Sequence, residues 1–366
     1  MLRPRFLLPI LLLLAACSPA PEPVIVAYAN APMDSLNANK LTHINYSFAK
    51  IEEGLLVEGR PEDAERMAAM QQVRRYNPDI KILISVGGWS WSDYFSDAAL
   101  TPESRERFAR SAIEFVKRHR LDGVDLDWEY PGQKGEDNVF RPEDKQNFTL
   151  LLAELRRQLD ALTQADGRKD NPYLLTIASA SGQTYLDHTE MDKVQLYLDF
   201  VNIMTYDFTG PWTQVAGHHT NLGPSPHAQA SGTYAIKGVD DHIAAGVPAA
   251  KIVLGTAFYG RWWSEVDSAQ NGLYQPYTGE SGAHAYHTLA AEYIDKNGFV
   301  RHWDKLAQAP YLWNDSLRIH ISYDDPQSLA AKARYVREKG LRGVMFWHFR
   351  HDSTGVLLES LYRNLH

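Results

Sequence analysis

Eight short apolar segments, set at intervals along the chain with helix-like stretches between them, constrain the fold more than any other feature of this sequence. They occupy residues 24–28, 44–49, 81–86, 123–130, 174–178, 200–206, 252–258 and 343–348. Each is rich in Val, Ile, Leu and aromatic residues, as expected of parallel strands buried on both faces. Helical spacing runs over 62–76, stopped by Asn77-Pro78, and over 101–119, opened by Thr101 as cap with Pro102 after it. Further helices are predicted at 142–162, 235–245, 326–339 and 355–365, with weaker patterns at 188–198 and 30–40. The alternation predicts an α/β chain closed into a (β/α)8 barrel. The crossover after the seventh strand is too long for one helix. Residues 261–319, with Tyr, Trp and Gly in strand-and-turn patterns, predict a small α+β insertion on the C-terminal rim.

Several function classes fall away early. No G-x-G-x-x-G or G-x-x-x-x-G-K-[ST] follows any strand, which argues against dinucleotide and nucleoside triphosphate cofactors. A formal charge of −8 without a basic block argues against nucleic acid. His218-His219, His348 and His351 sit on or after different strands with no H-x-x-x-H pair, so neither a metal nor any other cofactor is expected.

The first residues read as an address. Arg3 and Arg5 precede an apolar run over 6–14, far short of the ~20 residues that span a bilayer. Leu14-Ala15-Ala16-Cys17 resembles the cleavage site of a bacterial lipoprotein signal, in which the cysteine is acylated. Cys17 is the sole cysteine, so no disulfide can form. The expectation is a signal over 1–16, a Pro-rich tether over 17–23 and one folded domain over 24–366. The protein would be held to the bacterial envelope by its lipid alone. Losing Arg3 and Arg5 would take the charge from −8 to −10. Oligomeric state is not legible.

The chemistry is concentrated in Asp122-Gly123-Val124-Asp125-Leu126-Asp127-Trp128-Glu129. Side chains alternate along a strand, so Asp125, Asp127 and Glu129 share one face. Three carboxyl groups in a row repel one another, which raises at least one pKa toward the range of a general acid. A wet acidic edge strand would show the same pattern. A central barrel strand, however, meets water only at its C-terminal mouth, where Glu129 falls. Asp122 has the opposite parity and is expected to brace the strand's start.

These residues are similar to the signature of glycoside hydrolase family 18, the chitinases. Further motifs resemble the same family in order: Ser85-Val86-Gly87-Gly88-Trp89, Met204-Thr205-Tyr206-Asp207, Phe258-Tyr259-Gly260-Arg261, Ser322-Tyr323-Asp324-Asp325 and Gly343-Val344-Met345-Phe346-Trp347. The resemblance implies hydrolysis of β-1,4-linked N-acetylglucosamine chains with retention, the substrate's own 2-acetamido group serving as nucleophile. It implies Glu129 as the acid/base and Asp127 as the residue that orients the acetamido group. Asp125 would share a proton with Asp127, and Tyr206 and Asp207 would bind the sugar. Trp347 becomes the floor, with Tyr28, Phe48, Trp89, Met204, Tyr259 and Arg261 as lining residues.

Trp89, Trp91, Trp128, Trp212, Trp262, Trp263 and Trp347 sit in or after strand ends, where indole packs on the apolar faces of sugar rings. Trp128 points away from the carboxylates and is expected in the core. Trp91, Trp212, Trp262 and Trp263 are candidate outer platforms. Three rivals stand beside the chitinase reading: a lectin-like relative, disfavoured by the intact Glu129; a metal-dependent deacetylase, disfavoured by the scattered histidines; and a hydrolase of peptidoglycan or N-glycan cores. The chain also departs from the family at His348-Phe349-Arg350-His351-Asp352, where small residues commonly precede an acidic pair.

Overall fold

The computed structural model describes residues 22–33, 35–228 and 232–366. The expected signal at 1–16, Cys17 and the tether as far as residue 21 lie outside the described residues. Eight parallel strands close into a barrel: β1 (Val24–Ala29), β2 (His43–Glu52), β3 (Lys81–Gly87), β4 (Gly123–Asp127), β5 (Leu174–Ala180), β6 (Phe200–Met204), β7 (Ile252–Ala257) and β8 (Gly343–Trp347). Closure is made where β1 pairs with β8, Val24 opposite Gly343, and with β2, Tyr28 opposite Asn45.

Strand alternation divides the buried side chains into two populations. Ile25, Ile44, Ile84, Leu126, Ile177, Val201, Leu254 and Phe346 face outward and join the barrel to its helices. Inside, Val24, Val26, Tyr28, Phe200, Val253 and Met345 form an apolar half. The other half is polar, with Asn45, Ser47, Ser85, Asp125, Thr176 and Asn202 fully or almost fully buried. A buried carboxylate needs donors on every side, and these strands supply them.

Local signals place the helices. Pro102–His119 begins with a capping box in which Thr101 accepts from the Ser104 backbone N–H at 3.1 Å, and Ser104 accepts in return from Thr101 at 2.9 Å. Pro326–Lys339 opens on the Asp325 cap and closes on Gly340 in the left-handed region. The predicted 62–76 helix is split into Asp63–Met70 and a 3-10 turn, Gln71–Arg75. The weak patterns at 30–40 and 188–198 yield only short helices, Ser35–Ala38 and Met191–Val194. A strand the pattern did not reveal, Leu55–Glu58, folds back on β2 as a hairpin.

The insertion is a five-stranded antiparallel sheet ordered Ser281–Ala285, Tyr259–Trp263, Ile319–Tyr323, Ala309–Asn314, Val300–Asp304. It reaches two residues closer to β7 than the expected 261, because Tyr259 already pairs with Ala285. Among the described residues no helix is long and apolar enough to cross a membrane.

Candidate active site

β4 aims Asp125 and Asp127 into the barrel, and alternation persists beyond its end. Trp128 turns outward to stack on Phe95, ring centroids 5.2 Å apart, while Glu129 stays over the mouth at 9% exposure. Asp122 stands at the strand's start as expected, with Arg74 at 2.6 Å, Arg168 at 2.8 Å and the Ile82 N–H at 2.9 Å.

Asp125 accepts four hydrogen bonds. Tyr28 donates at 2.9 Å and Ser85 at 2.7 Å to Oδ2, Thr176 at 2.5 Å and Asn202 at 3.3 Å to Oδ1. Burial raises the Asp125 carboxyl above its ordinary value, and these four donors oppose the rise. Asp127 Oδ1 is instead buried without a partner. Burial first, then the charges of Glu129 and Asp125, raises the Asp127 carboxyl well above its ordinary value. Glu129 is lifted to about 7, chiefly by burial; a hydrogen bond from Tyr130 opposes the rise, and Asp207 and Glu136 add to it. A carboxyl group that keeps its proton to near neutrality is what acid catalysis requires.

The third-strand glycines make this cluster possible. At Gly87, φ is +98° and a Cβ would strike the Asp127 carbonyl; at Gly88, φ is +72° and a Cβ would enter the Phe48 ring. Ser92, which carried no signal in the sequence, accepts from the Glu129 N–H at 2.9 Å and donates to the Gly88 carbonyl at 2.9 Å.

The opposing wall comes from β6 and the insertion. Asp207, at φ +59°, accepts from the Tyr259 hydroxyl at 2.6 Å and from Arg261 at 2.7 and 2.8 Å. His219 Nδ1 stands 3.6 Å from it, just past the far limit of a hydrogen bond, and burial lowers the imidazole's own pKa. Burial would raise the Asp207 carboxyl, but His219 and Arg261 outweigh it and hold it below the usual range. The Tyr206 hydroxyl lies 3.8 Å from the Met345 sulfur, a weak acceptor. Behind this wall, Lys332 and Asp324 form a fully buried pair at 2.6 Å. Lys332 also reaches Thr220, which donates to the Thr205 carbonyl, and Asp324 accepts from the Ala257 N–H, so one pair ties the ends of β6 and β7 together.

These groups surround a cleft of about 1460 Å³. Trp347 and Phe48 stack 5.5 Å apart on one side, and Trp89, Met204, Tyr206, Tyr259 and Arg261 also line it. Tyr28, expected among the lining residues, does not reach the cleft. It is 1% exposed, one step deeper in the barrel, beneath Trp347 and donating to Asp125. Trp91 and Trp212 line the cleft, each beneath a guanidinium: Arg60 at 4.8 Å and Arg261 at 4.7 Å. The other two candidate platforms are corrected. Trp263 is fully buried with Val266 and Trp313 in the insertion's own core, and Trp262 stacks behind His284, which lines the cleft in its place. Asn30 and Arg60 line the cleft and were not anticipated; Arg60 follows the hairpin strand that the pattern did not reveal. Among the described residues no three His, Cys, Asp or Glu side chains are grouped as metal ligands.

Comparison with known proteins agrees with this geometry. Residues 24–352 match the glycosyl hydrolases family 18. The chain is 46% identical over 310 residues to Chitinase A1 of Niallia circulans, covering 81% of this chain but 44% of that protein's length. It is 30% identical to Chitinase B of Serratia marcescens, covering 93% and 79% of the two. A family 18 N-acetylglucosaminidase from Paenibacillus barengoltzii superposes with a TM-score of 0.88 at 42% identity, covering 93% of this chain and 99% of that one.

Proposed function

The chain belongs to glycoside hydrolase family 18, and on that premise we propose that it hydrolyses β-1,4-linked N-acetylglucosamine polymers or oligomers. The observation that carries the reading is Glu129, lifted to about 7 over a cleft floored by Trp347 and Phe48. Protonated Glu129 donates to the glycosidic oxygen as the bond breaks, while the acetamido oxygen closes on the anomeric carbon to form an oxazolinium ion. Asp127, with one buried oxygen unpartnered, accepts the acetamido N–H and carries the countercharge. Glu129, now a carboxylate, takes a proton from the water that opens the ring. Asp125 lies beneath, raised by burial and held by four donors, and shares a proton with Asp127 so that the pair adjusts its charge. Tyr206 and Asp207 hold the sugar from the far wall.

The chain spans 44% of the length of Chitinase A1 and 99% of the Paenibacillus N-acetylglucosaminidase. Two displacements at one carbon preserve configuration, so the first product seen by nuclear magnetic resonance from chitin oligomers is the β anomer. Initial α product refutes the roles of Glu129 and Asp127.

For location, we propose that Cys17 is acylated and anchors the protein in the bacterial envelope. The support is the Leu14-Ala15-Ala16-Cys17 sequence alone. Cys17→Ser then leaves the protein unprocessed or in the soluble fraction on detergent partitioning; a variant processed and membrane-bound like the parent overturns the anchor.

A further inference from the structure

One arc of the cleft rim has a chemistry that a neutral chitin chain does not require. It is formed where β8, β1 and the β2 hairpin lie side by side. Four side chains there are electrostatic neighbours: His348 is lowered to about 3 by burial first, then by His351, Arg350 and Arg60. The turn that carries Arg350 and His351 packs against β1, which ends one residue before Asn30. All five residues line the cleft.

Two facts make the arc unusual. Neither Arg60 nor Arg350 has a carboxylate partner among the described residues, whereas Arg261 across the cleft is paired with Asp207. In addition, Arg60 Nη1, a donor, and His351 Nδ1, which donates in one tautomer, are buried with no hydrogen-bond partner. Buried polar atoms are costly when unmatched, and two that can donate at one end of a ligand cleft point to a ligand that accepts from them; the Asn30 Oδ1 beside them, also unpartnered, calls for a donor such as a sugar hydroxyl. None of the lining residues on this arc is acidic; Asp127, Glu129 and Asp207, the acids of the cleft, stand on β4 and beyond β6. Two unpaired guanidinium groups beside neutral hydrogen-bonding side chains suit a carboxylate.

We propose that this arc is a subsite for a carboxylate borne by the sugar chain, so that the favoured substrate is an acidic N-acetylglucosamine glycan rather than plain chitin. The proposal rests on the glycosidase reading above and refines its substrate class. A lactyl ether on an alternate acetamido sugar, as in peptidoglycan glycan strands freed of their stem peptides, supplies that carboxylate. A terminal aldonic acid on a chitin oligomer supplies the same group from another source. The chain's overall charge of −8 disfavours acidic ligands at long range, so the attraction has to be local.

The test compares four soluble substrates: chitin oligomers, their aldonic acids, peptide-free peptidoglycan strands, and the same strands with the lactyl carboxyl reduced to an alcohol. At low salt, kcat/KM for one carboxylate-bearing substrate should exceed its uncharged counterpart by about tenfold, the worth of one charge-assisted hydrogen bond. Which acid wins identifies the source. The ratio should fall toward unity at high salt and in an Arg60→Gln, Arg350→Gln protein. Calorimetric titration of the Glu129→Gln protein with the intact and reduced strands, and with the aldonic acids and parent oligomers, reads the same preference without turnover. Equal kcat/KM and equal affinity for every charged and uncharged pair overturns the subsite while leaving chitin-oligomer cleavage, and so the proposed function, intact. So does a preference that survives both arginine substitutions. Absence of cleavage with the affinity preference retained upholds the subsite and sinks the glycosidase reading instead.

Discussion

Replacing Glu129 with Gln should make the protein more stable, and only in one range of pH. The folded protein holds this carboxyl at about 7, against an ordinary value of 4.5, chiefly because the group is buried. In the unfolded chain the proton leaves near 4.5; in the folded chain it leaves near 7. Between those values the folded state binds more protons, so raising the pH through this window costs stability. At 1.36 kcal/mol per pH unit the interval amounts to about 3 kcal/mol, fully expressed above pH 7 and absent below about 4.5. Gln has no proton to lose and escapes the penalty, and its neutrality also relieves the repulsion that helps to raise Asp127. A chain of this length unfolds with an entropy of about 0.7 kcal/mol/K, so the melting temperature should rise by roughly 4 °C at pH 8. Turnover should meanwhile fall by about 10² to 10⁴-fold. Calorimetry of both proteins at pH 4.5, 6 and 8 is the assay. A difference in Tm that is the same at all three values would show that the carboxyl is not perturbed, and the acid assignment would lose its physical basis.

Other outcomes follow from the same geometry. In wild type, kcat/KM should fall about tenfold per pH unit above about 7, as the Glu129 proton is lost; a profile flat to pH 9 contradicts this. Asp207→Ala leaves the Arg261 guanidinium unpaired and should cost about 2 kcal/mol in urea unfolding, partly recovered by adding Arg261→Met. Trp263→Ala should cost about 3–5 kcal/mol because the ring is wholly buried. Trp212→Ala, 60% exposed, should leave stability within about 0.5 kcal/mol and raise KM.

Alternation along a strand reveals which face a side chain takes, and that much of the site was legible. Asp125, Asp127 and Glu129 on one side and Trp128 on the other needed no structure. Alternation says nothing of depth, however. Tyr28 faces the barrel interior like Phe48 but lies beneath the floor, so a lining role was the wrong inference from the right parity. Nor does it distinguish a cleft wall from a private core: Trp262 and Trp263 are adjacent aromatic residues beyond a barrel strand, yet their sheet buries one and stacks the other on His284. Arg60 was invisible because the strand before it, Leu55–Glu58, has only four residues, too short an apolar run to announce it. Contacts between segments far apart in the chain, such as Lys332 to Thr220, leave no local trace at all.

The pairing of Asp207 with Tyr259 and Arg261 makes the insertion something other than an accessory. Both partners belong to its second strand, which is the direct continuation of β7. The edge strand beside it, Ser281–Ala285, borders the cleft; the opposite edge, Val300–Asp304, contributes nothing to it. The sheet therefore has one margin at the cleft and one away from it, the latter held by Arg301 to Asp325 and by Asp304 to Ser225. Variation along that outer strand that spares Arg301 and Asp304 can accumulate without disturbing the wall of the cleft. A graft that exchanges the whole insertion would have to bring its own tyrosine and arginine in register, or leave Asp207 unclasped. Cleft depth and catalytic geometry are thus inherited together, while the outer face of the sheet is open to change.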